Sequence, residues 1–235
     1  MLRKLLRSAF LLTAIVMFVQ ALPAQVRRVQ PSCPMNLIIA LDFSGSERAY
    51  LGEIQTVLHA LTGTFELSET NLKIGIITFN RGAEVVLPLT GETGKLEAAL
   101  EELAIPRTVY ATDIHAAIDL ANREFQRHSL SSIPKYFVLV SDGDPHAHSR
   151  GYGFQADLIN MDRIKAGSID DEIDPVHVFT LYTGRLSPFQ NRFSEDVRRA
   201  SIRHMQKMAS DKESFFFYEQ YPLLVEFFER ITNCL

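Results

Sequence analysis

Several short stretches of the chain are apolar with no alternation, and longer stretches between them repeat every three to four residues. Met35 to Leu41 (MNLIIAL), Leu72 to Phe79 (LKIGIITF), Lys135 to Ser141 (KYFVLVS) and Val176 to Tyr182 (VHVFTLY) are too short for helices and rich in branched or aromatic residues. Runs of this kind are strands, and the first reads as one buried on both faces in the middle of a parallel sheet. Ser214 to Tyr218 (SFFFY) is a last, shorter strand. Helical spacing occupies the intervals. Tyr50, Leu51, Ile54, Val57, Leu58 and Leu61 mark a helix from Glu47 to about Phe65, and Leu96, Ala99, Leu100 and Leu103 mark one from Lys95 to Leu103. Ile114, Ala117, Ile118, Ala121 and Phe125 form the inward face of a helix from Asp113 to Phe125. Ala156, Leu158, Ile159 and Ile164 mark another, and Glu195 to Met208 and Leu223 to Ile231 complete the set. The one break in the alternation is the turn Asn80-Arg81-Gly82, which returns the chain as Ala83 to Leu89, a hairpin partner whose Pro88 suits a sheet edge. Strand–helix alternation of this kind specifies a doubly wound, mostly parallel α/β sheet with helices on both faces.

Composition fits one full core: 46% of the 235 residues are hydrophobic. The N-terminus stands apart. Arg3, Lys4 and Arg7 precede an apolar run from Ala9 to Val19, with small residues at Ala21 and Ala24, the layout of a secretory signal peptide over residues 1–24. A short lead-in, residues 25–34, then joins the domain at 35–235. The apolar run is shorter than the roughly 20 residues a membrane span needs, and no other segment is long enough, so no span is expected after cleavage. The net charge is -4, and loss of three basic leader residues makes the mature chain more acidic. Such a chain lacks the basic face that phosphate backbones require, so nucleic acid is not an expected partner. An exported chain with two cysteines, Cys33 and Cys234, is expected to pair them and tie the ends of the domain together.

The first strand stops abruptly in Asp42-Phe43-Ser44-Gly45-Ser46. Strand carboxyl ends are where open α/β sheets bind ligands. One carboxylate and two hydroxyls at alternate positions are hard oxygen donors, suited to Mg²⁺, Mn²⁺ or Ca²⁺. Read alone, the run is equally a strand end before a serine-capped helix. The D-x-S-x-S pattern resembles the metal-ion-dependent adhesion site of von Willebrand factor type A domains. The resemblance covers nearly all of Cys33 to Cys234. It implies a six-stranded sheet in the order 3-2-1-4-5-6 with Ala83 to Leu89 antiparallel at the edge, and it strengthens the pairing of Cys33 with Cys234. It also implies three loops on one ion: Asp42, Ser44 and Ser46 from the first, Thr112 from the second and Asp142 from the third. Taken singly, Thr112 could cap a helix and Asp142-Gly143 could be an ordinary turn. Many relatives have glycine before the threonine; here Ala111 stands there, with a methyl that bears on how the loop can move.

The resemblance implies a secreted or periplasmic module that binds a protein partner, whose acidic side chain completes the shell of a Mg²⁺, Mn²⁺ or Ca²⁺ ion. Tyr110, Asp113, Asp144, His146 and His148 border that rim and are candidate partner contacts, as is the loop Arg185 to Arg192. Two other functions are open on the same residues. One is a metal-dependent hydrolase, although Gly-x-Ser-x-Gly, H-E-x-x-H and an Asp-x-Asp after the first strand are absent. The other is a structural subunit of an envelope assembly. The expectation is a binding protein, not an enzyme.

Overall fold

The computed structural model describes residues 32–47, 51–103, 111–129, 132–144, 154–167, 174–184 and 195–234. The expected leader, Tyr110, His146, His148 and the Arg185 to Arg192 loop lie outside these residues.

Six strands form one sheet: β1 (Met35–Asp42), β2 (Leu72–Phe79), β3 (Ala83–Thr90), β4 (Lys135–Ser141), β5 (Val176–Tyr182) and β6 (Phe215–Phe217). Their order is β3-β2-β1-β4-β5-β6. β1 lies in the middle, parallel to β2 and β4, with Ile39 opposite Ile76 and Val138. β5 and β6 continue in parallel, and β3 alone runs antiparallel, against β2. All eight residues of β1 are buried, as an apolar run at the centre of a two-layered cover requires. β3 is half exposed and carries the exposed Pro88, so the edge strand tolerates a residue with no amide proton.

Among the described residues, six α-helices cover the sheet: α1 (Leu51–Gly63), α2 (Thr93–Glu102), α3 (Ile114–His128), α4 (Phe154–Ala166), α5 (Glu195–Met208) and α6 (Tyr221–Thr232). Alternate residues of β1 feed two cores. Leu37, Ile39 and Leu41 pack with α1 and α6 residues Ile54, Leu58, Leu224 and Phe228. Ile38 and Ala40 pack with Ile114, Ile118, Met161 and Met205 of α3, α4 and α5.

Two elements differ from the sequence expectation. α1 is described from Leu51, and Glu47, where the sequence expectation starts this helix, is fully buried. In α4 only Ile164 of the four marker residues is buried; Ile159 is 49% exposed. The inward face of α4 is partly polar: Asp157 meets His204 of α5 at 3.2 Å, and Asn160 donates to Asp119 of α3 at 3.2 Å. Cys33 and Cys234 form a disulfide with Cα atoms 5.5 Å apart. No helix among the described residues is long and apolar enough to cross a membrane.

Candidate functional site

Because β1, β2, β4 and β5 are parallel, their carboxyl ends share one edge, and the expected site residues lie along it. The β1 end is ordered by its own side chains. The Asp42 carboxylate accepts from the Ser44 amide at 2.8 Å through Oδ1 and from the Ser141 hydroxyl at 2.7 Å through Oδ2. The Ser44 and Ser46 hydroxyls lie 2.9 Å apart. The Phe43 amide donates to the Phe79 carbonyl at 2.7 Å, continuing the β1–β2 ladder past the strand end.

The β4 end is fastened to the same place. Ser141, which holds Asp42, also accepts from the Gly143 amide at 3.0 Å, and the Asp144 amide donates to Asp142 Oδ1 at 3.2 Å. Gly143 has φ 69°, a conformation that favours glycine. A Cβ there would come within 2.6 Å of Met205 Cγ on α5. The Asp142 turn is thus fitted closely to α5.

The third segment reaches the edge through β2. The Asp113 amide donates to the carbonyl of Asn80, just past β2, at 2.6 Å. This places Thr112, which is buried, near the end of β2. Asp113 caps α3: its Oδ1 accepts from the Ala116 amide at 3.0 Å. The cap is therefore Asp113 and not Thr112. Asp113 is itself only 3% exposed, its carboxylate engaged at the helix start. Asp144 is half-buried.

Glu47 is the residue that sequence reasoning missed. It is fully buried, and its Oε1 accepts from the hydroxyl of Thr183, just past β5, at 2.7 Å. Its Oε2 is buried with no hydrogen-bond partner. Burial, then the nearby charges of Asp142 and Asp42, raise its carboxyl well above the usual range. Asp42 is pushed up to about 7 by burial and by Asp142, against the hydrogen bonds from Ser141 and Ser44. Carboxyls in this condition need either protons or a neighbouring cation. The only available signal was an acidic residue directly after the D-x-S-x-S run.

Among the described residues, no three His, Cys, Asp or Glu side chains sit together as a ready metal cluster. A cation at this edge would therefore depend on the hydroxyls of Ser44, Ser46 and Thr112 as well as on Asp42 and Asp142. The donor chemistry fits a hard dication: the oxygens are hard, two hydroxyls are adjacent, and one buried carboxylate oxygen lacks a partner.

A family model of the von Willebrand factor type A domain matches residues 37–144, which span the β1 end through the Asp142 turn. Among solved structures, the chain is similar to a conserved hypothetical protein, BatB, from Bacteroides thetaiotaomicron, with 18% identity and a TM-score of 0.57 over 83% of this chain and 98% of that one. It is also similar to proximal thread matrix protein 1 of the mussel byssus, with 15% identity and a TM-score of 0.62 over 84% of this chain. The similarity covers 48% of the mussel protein, so the chain spans about half of its length. Another structure of that mussel protein has a zinc-occupied adhesion-site motif. The von Willebrand domain of a type V pilus tip protein from Porphyromonas gingivalis matches with 9% identity and a TM-score of 0.54 over 84% of this chain and 95% of that one. The strand order and these neighbours give this chain the fold of von Willebrand factor type A domains, and the family model of that domain matches residues 37–144 of it.

Proposed function

We propose that this chain is an extracytoplasmic type A-domain protein that binds a partner protein through a divalent cation held by Asp42, Ser44, Ser46, Thr112 and Asp142. The observation that supports the reading is that the segments carrying Asp42, Thr112 and Asp142 lead to one sheet edge, where Asp42 and Glu47 are fully buried. None of the ion pairs among the described residues involves Asp42 or Glu47. The adhesion-site motif of the mussel protein and the pilus tip neighbour favour protein binding over catalysis, and the disulfide favours an oxidising compartment.

The chain's own residues explain how such an ion would act. Ser44, Ser46 and Thr112 are neutral donors and leave most of its charge uncancelled. Asp42 is aimed by two hydrogen bonds, so its orientation is set before any ion arrives. When bound, Mg²⁺, Mn²⁺ or Ca²⁺ supplies a Lewis-acidic vertex for a carboxylate of the partner. The test is a pull-down from the native source with and without EDTA, repeated with Asp42→Ala. Captured protein should be lost on chelation, return with Mg²⁺ or Mn²⁺, and be absent with Asp42→Ala. Capture indifferent to both treatments contradicts the reading.

A further inference from the structure

Glu47 lies outside the ligand set inherited from the type A resemblance, yet it is as deeply buried as Asp42. It is fully buried, one oxygen is fixed by Thr183, and the other has no partner. Its backbone amide donates to the Ser44 carbonyl at 3.2 Å, so its main chain is tied to the D-x-S-x-S turn itself. Thr183 is in turn tied to β4, its amide donating to the Ser141 carbonyl at 3.0 Å. One hydrogen-bonded circuit thus runs from Asp42 through Ser141 and Thr183 to Glu47.

We propose that Glu47 is a third, outer carboxylate of the cation site, set behind the direct ligands, which strengthens ion binding through its charge and makes the bound ion a stabilising part of the fold. This rests on the cation reading above. A carboxylate that is buried and half unpaired is costly. A dication nearby offsets that cost through space, because charge attraction in a poorly solvated site acts beyond the first ligands. Glu47 would add its charge behind the two carboxylates that the ligand set supplies, and not as a member of a ready cluster of three. The Thr183 hydrogen bond orients Glu47 and leaves its second oxygen free of any donor. Geometry thus distinguishes Glu47 from a surface acid that happens to lie near a metal.

The experiment titrates Mn²⁺ alone into the full chain by calorimetry and records melting with EDTA and with saturating Mn²⁺, for the native protein and Glu47→Gln. The native chain should bind one ion and melt higher with it. Glu47→Gln should bind Mn²⁺ at least about tenfold more weakly and gain less from it. Its melting temperature in EDTA should equal or exceed that of the native chain. A variant that binds within twofold and gains equally overturns the role of Glu47 and leaves the cation reading intact. A native chain that takes up no Mn²⁺ overturns both. If the Gln variant does not accumulate, Glu47→Met removes the same charge at similar length, and the same outcomes decide.

Discussion

Gly143 illustrates how much of the site is fixed one residue at a time. Its φ of 69° allows the chain to turn directly after Asp142, and Met205 occupies the space a side chain would need. Gly143→Ala should destabilise the protein by about 2 kcal/mol, combining the left-handed penalty with overpacking. Chemical denaturation measures this; a loss below about 0.5 kcal/mol would mean that the turn relaxes freely. The same scale separates what the sequence revealed from what it hid. Asp42, Ser44 and Ser46 were legible because their relationship is local: the alternate spacing itself brings the two hydroxyls together. Glu47 was not, because its environment is made by Thr183, 136 residues away. A charged residue before a helix reads as solvated until a distant strand end is known to cover it.

Among the elements, the buried strands were legible to within a residue or two, since an uninterrupted apolar run between turns has few alternatives. The helices were harder wherever polar residues face inward. Periodicity counts apolar side chains, and α4 meets α3 and α5 partly through Asn160 and Asp157, whose partners His115, Asp119 and His204 belong to other helices. β5 carries a similar feature in His177, which packs against Phe179 and Phe227 and pairs its Nε2 with Ser214 Oγ at 2.8 Å. Burial lowers the pKa of His177 below its ordinary value of 6.5, with Asp211 opposing. The unfolded chain therefore binds this proton more readily than the folded one. The contribution of neutral His177 is full above about 6.5 and is lost as pH falls through the depressed folded value. Stability should thus drop between pH 7.5 and pH 5.5 by more in the native protein than in His177→Gln. Equal losses in paired urea titrations at the two values would show that this histidine does not feel its burial.

At the level of the whole molecule, the sheet and the disulfide make one frame. The Ser32 and Cys33 amides both donate to the Thr232 carbonyl, at 2.8 and 3.0 Å, so backbone hydrogen bonds join the same two segments as the Cys33–Cys234 bond. Cross-linking residues 201 apart constrains the unfolded chain by about 5 kcal/mol in the chain-entropy model. That frame closes the domain beside the amino ends of the strands. The opposite edge is left to the loops carrying Asp42, Thr112 and Asp142. Strand order follows from the same logic, since β1 sits at the centre only if the chain winds outward in both directions from it. The most direct measurement is anomalous diffraction from crystals grown with Mn²⁺. The account predicts a single strong peak at the carboxyl edge of β1 and β4, within coordination reach of oxygens from Ser44, Thr112 and Asp142. A well-ordered edge with no peak, or a peak that only one of the three loops can reach, would contradict it.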